Sequence, residues 1–175
     1  MNIYYAGIGS RKTPHEILDI FTQIGAFLAA HGYILRSGAA DGADDAFEKG
    51  CDMVHGQKEI YLPWKGFNHS ESPLYEISSE AYNLAIHYNP AIASTKSSVK
   101  NLMARNGYQI LGKDLKTPVR FVICHTPNGD RIGGTAQALR IAMDLKIPVF
   151  NAGNYNGNIE LLKKEFNEFY KKWRV

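Results

Sequence analysis

The sequence predicts an α/β fold of the Rossmann-like, doubly wound kind: a mostly parallel sheet with helices on both faces and a helical insertion near 64–117. Three observations predict it. Short β-rich runs alternate with stretches of helical periodicity, an order that gives parallel strands joined by helical crossovers. Turns of small residues stop several strands just where a helix begins. The composition is that of an ordinary folded chain, with 175 residues of which 45% are hydrophobic and 21% charged, so disorder and fibrous structure are excluded.

Each element follows from its residues. Asn2–Ala6 is a β-rich run that stops at Gly7-Ile8-Gly9-Ser10. Thr13-Pro14-His15-Glu16 then reads as a helix start, with a capping Thr, Pro at the first helical position and Glu three residues after the cap. Ile17, Leu18, Phe21, Ile24 and Leu28 repeat at helical spacing behind it, and His31-Gly32 ends the helix. Tyr33–Arg36 is a second strand, closed by Ser37-Gly38. A second helix is expected from Gly42 to about Val54, and a third strand over Lys58–Leu62, ended by Pro63. Residues 64–117 break the alternation, with two helices expected near 73–87 and 97–110. Val119–Cys124 is a buried strand, Gly133–Leu145 a helix, Pro148–Phe150 a strand and Asn158–Trp173 a final amphipathic helix. The whole chain, 1–175, is read as one domain.

Composition bounds the function. Net charge is +3. Residues 89–120 carry Lys96, Lys100, Arg105, Lys113, Lys116 and Arg120 against Asp114, a local excess of +5, and residues outside this stretch and the 160–175 tail sum to −4. A basic footprint over the whole surface is therefore excluded, while a local zone that meets phosphate is not. Cys51 and Cys124 are too few for a disulfide framework and lack metal-ligand spacing, as do the six histidines, so no metal and no cofactor are expected. No apolar run reaches the roughly 18 residues of a membrane span. The N-terminus has no secretory pattern, and a soluble, cytoplasmic location is expected.

In parallel sheets ligands bind beyond the carboxyl ends of the strands. Five polar, small-residue segments are expected to converge there. Gly7, Gly9, Ser10 and Arg11 form the first: glycine permits close backbone approach, the helix start favours an anion, and Arg11 can grip a phosphate bidentately. The spacing is neither the full dinucleotide fingerprint nor a P-loop. Ser37, Gly38, Asp41, Gly42 and Asp44 form the second. Aspartates at a helix start suit its dipole, yet they also stand where a ribose hydroxyl or base edge would sit. Gly133, Gly134 and Thr135 open a third helix; the plain alternative is that these glycines only permit close helix–strand packing. Trp64 and Lys65 suit stacking on a base plus a phosphate contact. His125 and Thr126 end a strand and are candidate ligand contacts, while Cys124 points to the opposite face and belongs to the core. Arg105 and Asn106 are candidate ligand contacts from the insertion.

Three segments together carry a family resemblance: Tyr5-Ala6-Gly7-Ile8-Gly9-Ser10-Arg11, Leu35 through Asp44, and Gly133-Gly134-Thr135-Ala136. They resemble the SLOG superfamily, the Rossmann-like group of DprA/SMF and "lonely guy" (LOG) proteins. The chain looks most like the small, single-domain DprA-like proteins of bacteriophages. The resemblance covers about 1–66 and 118–153, and Lys100 through Gln109 also looks like those phage proteins. It implies that Gly9, Ser10, Arg11, Ser37, Gly38, Gly42, Gly133, Gly134 and Thr135 match phosphate-binding positions. It also implies a homo-oligomer, a host-cell cytoplasm if the protein is phage-encoded, and a nucleotide-derived ligand, single-stranded DNA, or both as partners. One departure matters. LOG-type phosphoribohydrolases follow the Gly-Thr pair with a catalytic glutamate, and this chain has Gln137 and Ala138 there. A neutral amide does not stabilise an oxocarbenium-like transition state as a carboxylate does. The first expectation is therefore binding of a phosphorylated nucleotide or nucleotide-derived signal, to sequester or sense it, as in phage counter-defence. The alternatives are DprA-like single-stranded DNA binding and LOG-like N-glycosidic hydrolysis with Asp41, Asp44 or Glu48 as the carboxylate.

Overall fold

The computed structural model describes residues 2–175. Five strands form one parallel sheet: β1 (Ile3–Gly9), β2 (Tyr33–Ser37), β3 (Lys58–Ile60), β4 (Phe121–His125) and β5 (Val149–Asn151), in the order β3-β2-β1-β4-β5. Six α-helices join or flank them: α1 (His15–Ala30), α2 (Ala43–Met53), α3 (Ser79–Tyr88), α4 (Ser97–Leu111), α5 (Thr135–Asp144) and α6 (Ile159–Trp173). This is the expected Rossmann-like fold. β1 and β4 are central, and residues 5–8 and all of β4 are buried. A strand covered on both faces reads as an unbroken apolar run, which is how Phe121-Val122-Ile123-Cys124 stood out in the sequence.

Side chains alternate between two cores. Tyr5, Leu35, Phe121 and Ile123 pack with α1, α2 and α6, where Phe21 stacks on Phe47 with ring centroids 4.4 Å apart. Ala6, Ile8, Val122 and Cys124 pack on the other face against α4 and α5. Each large side chain fully buried here contributes about 1.5–3 kcal/mol. α3 leans on α4 in a smaller cluster around Ala81, Ala85, Ala104 and Tyr108. β1 thus leads into a helix on one face and β4 into a helix on the other. The gap between the ends of β1 and β4, paired Gly9 to His125, is the topological switch point where ligands of such sheets bind.

Two local expectations change. β1 runs on to Gly9, so Gly7 lies inside the strand; a Cβ there would strike Phe47 and Leu35. Gly7 serves helix–sheet packing and not a ligand. Thr13 does not cap α1, whose cap residue is Pro14. The Thr13 hydroxyl instead donates to the Ser10 carbonyl at 2.6 Å and closes the turn after β1. No helix among the described residues is long and apolar enough to cross a membrane.

Candidate functional site

The turns at the ends of β1 and β2 are tied together by one carboxylate. Asp44, in the first turn of α2 and 3% exposed, accepts the Gly9 N–H through Oδ1 and the Gly38 N–H through Oδ2, each at 3.1 Å. Gly42, just before, has φ +86°, a left-handed conformation that favours glycine and swings the chain into the helix. Burial raises the Asp44 carboxyl to about 6, against the opposing field of Arg105 and the backbone N–H groups it accepts. Asp44 is thus the internal anion of these two turns, and not a group free to meet a ribose. Ser37 is likewise engaged inside, its hydroxyl donating to the Gly7 carbonyl at 2.6 Å with no exposure.

The insertion completes the arrangement. Arg105 and Asn106 of α4 are each 5% exposed. The Arg105 guanidinium donates to the Gly38 and Tyr61 carbonyls, and its Nε donates to Asn106 Oδ1 at 3.0 Å. Asn106 Nδ2 then donates to the Gly134 carbonyl at 2.7 Å. A continuous chain of hydrogen bonds therefore runs from Gly134 through Asn106, Arg105, Gly38 and Asp44 to Gly9. The three glycine turns expected from the sequence to meet are brought together by it. Arg105 and Asn106 are the braces of that junction, because their donors are engaged by the protein's own carbonyls. Burial lowers the Arg105 pKa and nearby Asp44 opposes the shift.

What the junction leaves exposed is the start of α5 and the turn after β1. Gly133 and Gly134 are exposed and Thr135 half-buried. Gly133 has φ +68°, which favours glycine. Gly134 does not need to be glycine for any internal reason: its φ of −63° and ψ of −37° are ordinary helical values, and a Cβ there would meet nothing within 4 Å. The same holds for space at Gly133. The reading of this pair as a packing device is therefore corrected, since a side chain at either position would meet no neighbour, and α4 reaches the turn only through the Asn106 bond to the Gly134 carbonyl. No backbone carbonyl among the described residues receives the Gly134 or Thr135 N–H. Ser10 is half-buried, its Oγ accepting the Lys12 N–H at 3.0 Å, and Arg11 is exposed.

His125 and Thr126 end β4 and are both buried, 5% and 1% exposed. Thr126 Oγ1 accepts from Asn151 Nδ2 at 2.7 Å and is held inside. His125 Nδ1 lies 3.2 Å from Thr13 Oγ1, and burial lowers its pKa. This link was invisible in the sequence, where Thr13 looked like a cap. At the β2–β3 end, Trp64 is 40% exposed and packs edge-on to Phe67 with centroids 5.2 Å apart. Lys65 is exposed, and Asn68 Nδ2 donates to the Ala39 carbonyl at 2.9 Å, which holds this segment beside the second turn.

The catalytic candidates fare differently. Gln137 is fully buried and donates to the Ala85 carbonyl of α3 at 3.0 Å, so it faces the insertion. Glu48 binds Lys58 at 2.8 Å, together with Asp52, on the outer side of α2. Asp41 is exposed and, with Glu48, lines a broad groove of about 970 Å³ between α2, β3 and residues 68–74. That groove also carries Asp45, Asp52 and Glu71 against Lys49 and Lys58. Its charge is negative, which is unfavourable for an anion. Among the described residues no group of three or more His, Cys, Asp or Glu side chains is arranged to hold a metal ion.

No family model matches the chain, and no curated protein matches it. Solved structures share its fold. Two structures of the molybdenum cofactor (Moco) carrier protein of Chlamydomonas reinhardtii superpose on 99% of the chain. One has a TM-score of 0.55 at 16% identity and covers 87% of that protein; the other has 0.51 at 19% and covers 88%. DNA processing protein A from Helicobacter pylori, described for its single-stranded DNA binding mode, superposes on 98% of the chain with a TM-score of 0.58 at 16% identity, over 82% of its own length. At such identities the likeness is one of fold.

Proposed function

We propose that the chain binds a phosphorylated nucleotide or nucleotide-derived signal at the gap between β1 and β4, with its phosphate over the start of α5. The observation that carries this is Gly134: a residue with no internal need to lack a side chain, at an exposed helix start where the Gly134 and Thr135 N–H groups meet no backbone carbonyl among the described residues. Arg11, Ser10, Gly133 and Thr135 surround the same anion, and Gly9, Gly38, Gly42 and Asp44 hold the frame. The exposed Trp64, with Lys65, is the platform for a base. The fold neighbours, a molybdenum cofactor carrier and a protein described for its single-stranded DNA binding mode, are consistent with ligand binding in general. The ligand is held intact in this reading: Glu48 is paired with Lys58, Asp44 with two amides, Asp41 lines the acidic groove beside Glu48, and Gln137 faces the insertion. Intact retention is what sequestering or sensing demands, a role of the phage counter-defence type. A homo-oligomer, implied by the resemblance, belongs to the same proposal.

Thermal unfolding with a panel of nucleoside monophosphates tests it. One or more should raise the melting temperature of the native chain. Gly134→Ala should change the ligand-free stability by no more than about 0.5 kcal/mol and remove most of the ligand-induced rise, as should Arg11→Ala. A full rise retained in Gly134→Ala overturns the site. Free base appearing in chromatograms of the incubated nucleotides overturns the non-hydrolytic reading.

A further inference from the structure

Thr13 Oγ1 has one hydrogen, and it lies 2.6 Å from the Ser10 carbonyl oxygen, which can only accept. Toward His125 Nδ1, at 3.2 Å, the Thr13 oxygen must therefore accept. Nδ1 carries the ring proton, and in the neutral imidazole Nε2 is a bare lone pair. The ring is held rigidly. It is 5% exposed, its backbone carbonyl takes the Ser10 N–H at 2.9 Å, and its residue pairs with Gly9 across the switch point. Nε2 has no hydrogen-bond partner among the described residues, yet it is not sealed in: the one fully buried side-chain polar atom without a partner among those residues is the Tyr5 hydroxyl. The exposed part of His125, a residue 5% exposed at the end of β4 and on the α1 side of the sheet with Thr13, thus includes an unpartnered acceptor beside the turn after β1.

We infer that His125 Nε2 accepts a hydrogen bond from a hydroxyl or N–H on the sugar or base of the proposed ligand, and so selects the nucleoside part while the α5 start holds the phosphate. A bare lone pair repels phosphate oxygens and rewards a donor. Leaving such an acceptor unmatched is what makes hydrogen-bonding sites discriminate. His125 is a specificity residue in this account, not a catalytic one. The inference rests on the ligand reading proposed above.

Calorimetric binding of inorganic phosphate, ribose 5-phosphate and the ribo- and 2′-deoxyribonucleoside monophosphates to the native chain, His125→Asn and His125→Gln tests it. Asn keeps an amide near Nδ1 for Thr13 and removes the acceptor at Nε2; Gln returns an oxygen close to that point. His125→Asn should weaken the best nucleotide about tenfold, the worth of one good hydrogen bond, and leave inorganic phosphate unchanged. His125→Gln should recover most of the loss. A loss shared by ribose 5-phosphate places the donor on the sugar, and a loss confined to nucleotides places it on the base. Equal weakening of phosphate and nucleotide, or no weakening of either, overturns the inference and leaves the ligand site standing. A native chain that binds none of the probes overturns the site itself. Nitrogen chemical shifts of the ring in the free protein give an independent answer: a protonated Nε2 in the neutral ring overturns the assignment.

Discussion

Asp44 is the residue on which the junction depends, and its position carries a pH signature. The carboxyl rises from 3.8 to about 6 because burial outweighs the stabilising amides and Arg105. The folded state therefore holds this proton more tightly than the unfolded chain does. Its favourable contribution to stability is full below about pH 3.8 and is lost as pH rises through about 6, up to about 3 kcal/mol by linkage. Asp44→Asn removes the titration. The native chain should gain stability relative to this variant as pH falls from 7 to 4, and the difference should be flat above pH 7. Urea unfolding of both proteins across that range is the measurement, and a difference independent of pH removes the assignment. His125 works in the opposite sense. Its lowered pKa disfavours folding once the unfolded chain's histidine protonates, below about pH 6.5, so the comparison is made against Asp44→Asn and not against pH alone. At this scale the sequence was informative about residue type and silent about direction. Three aspartates at a helix start announce dipole complementarity. Only the fold shows that Asp44 bridges two turns, that Asp41 and Asp45 line an acidic groove, and that Thr13 orients a histidine.

The elements were legible because their signals are local. Apolar periodicity, strand-like runs and small-residue turns lie within a few residues of what they specify, and β1 to β5 and α1 to α6 stand near their expected places. The role of the insertion was not legible, because Arg105 and Asn106 reach Gly38 and Gly134 across 67 and 28 positions of chain. α4 thus couples the β2 turn to the α5 start, and its two braces differ in kind. Asn106→Ala removes the neutral bond to Gly134 and the acceptor of the buried Arg105 Nε, and should cost about 2–3 kcal/mol. Amide hydrogen exchange over residues 133–136 should rise, and nucleotide-induced stabilisation should fall. Arg105→Ala also strips the charge that opposes burial of Asp44, and should cost about 3 kcal/mol or more. Unchanged exchange at 133–136 in Asn106→Ala shows that the turn is held by something else.

At the scale of the whole molecule, the charge that is contiguous in sequence is dispersed in space. Of the +5 stretch, Arg105 is buried inside the junction. Arg120 donates its N–H to the Tyr4 carbonyl near the start of β1 and its Nε to the Trp173 carbonyl, and Lys113 and Lys116 follow the end of α4 beside Thr117, whose carbonyl meets Arg36. Lys113 stands beside Tyr61 and Leu74, past the end of β3, while Lys96 and Lys100 stand at the start of α4, the end from which the helix runs to Arg105. On the far side of α2 the groove is acidic. A single strand tracking across the carboxyl edge would find Arg11, Lys65 and a few neighbours, not a continuous basic path. With about three phosphates neutralised, the logarithm of affinity should fall with the logarithm of salt at a slope no steeper than about −2. Oligonucleotide binding should then be weak at low salt and should be competed by the nucleoside monophosphate that binds the native chain. Trp64→Ala should weaken both, because both use the same exposed ring. Fluorescence titrations of a labelled oligothymidine at several salt concentrations, with and without competitor, decide the matter. A slope of −4 or steeper, or binding indifferent to the mononucleotide, places a polymer path on the surface that the dispersed cations do not form and makes single-stranded DNA the principal ligand.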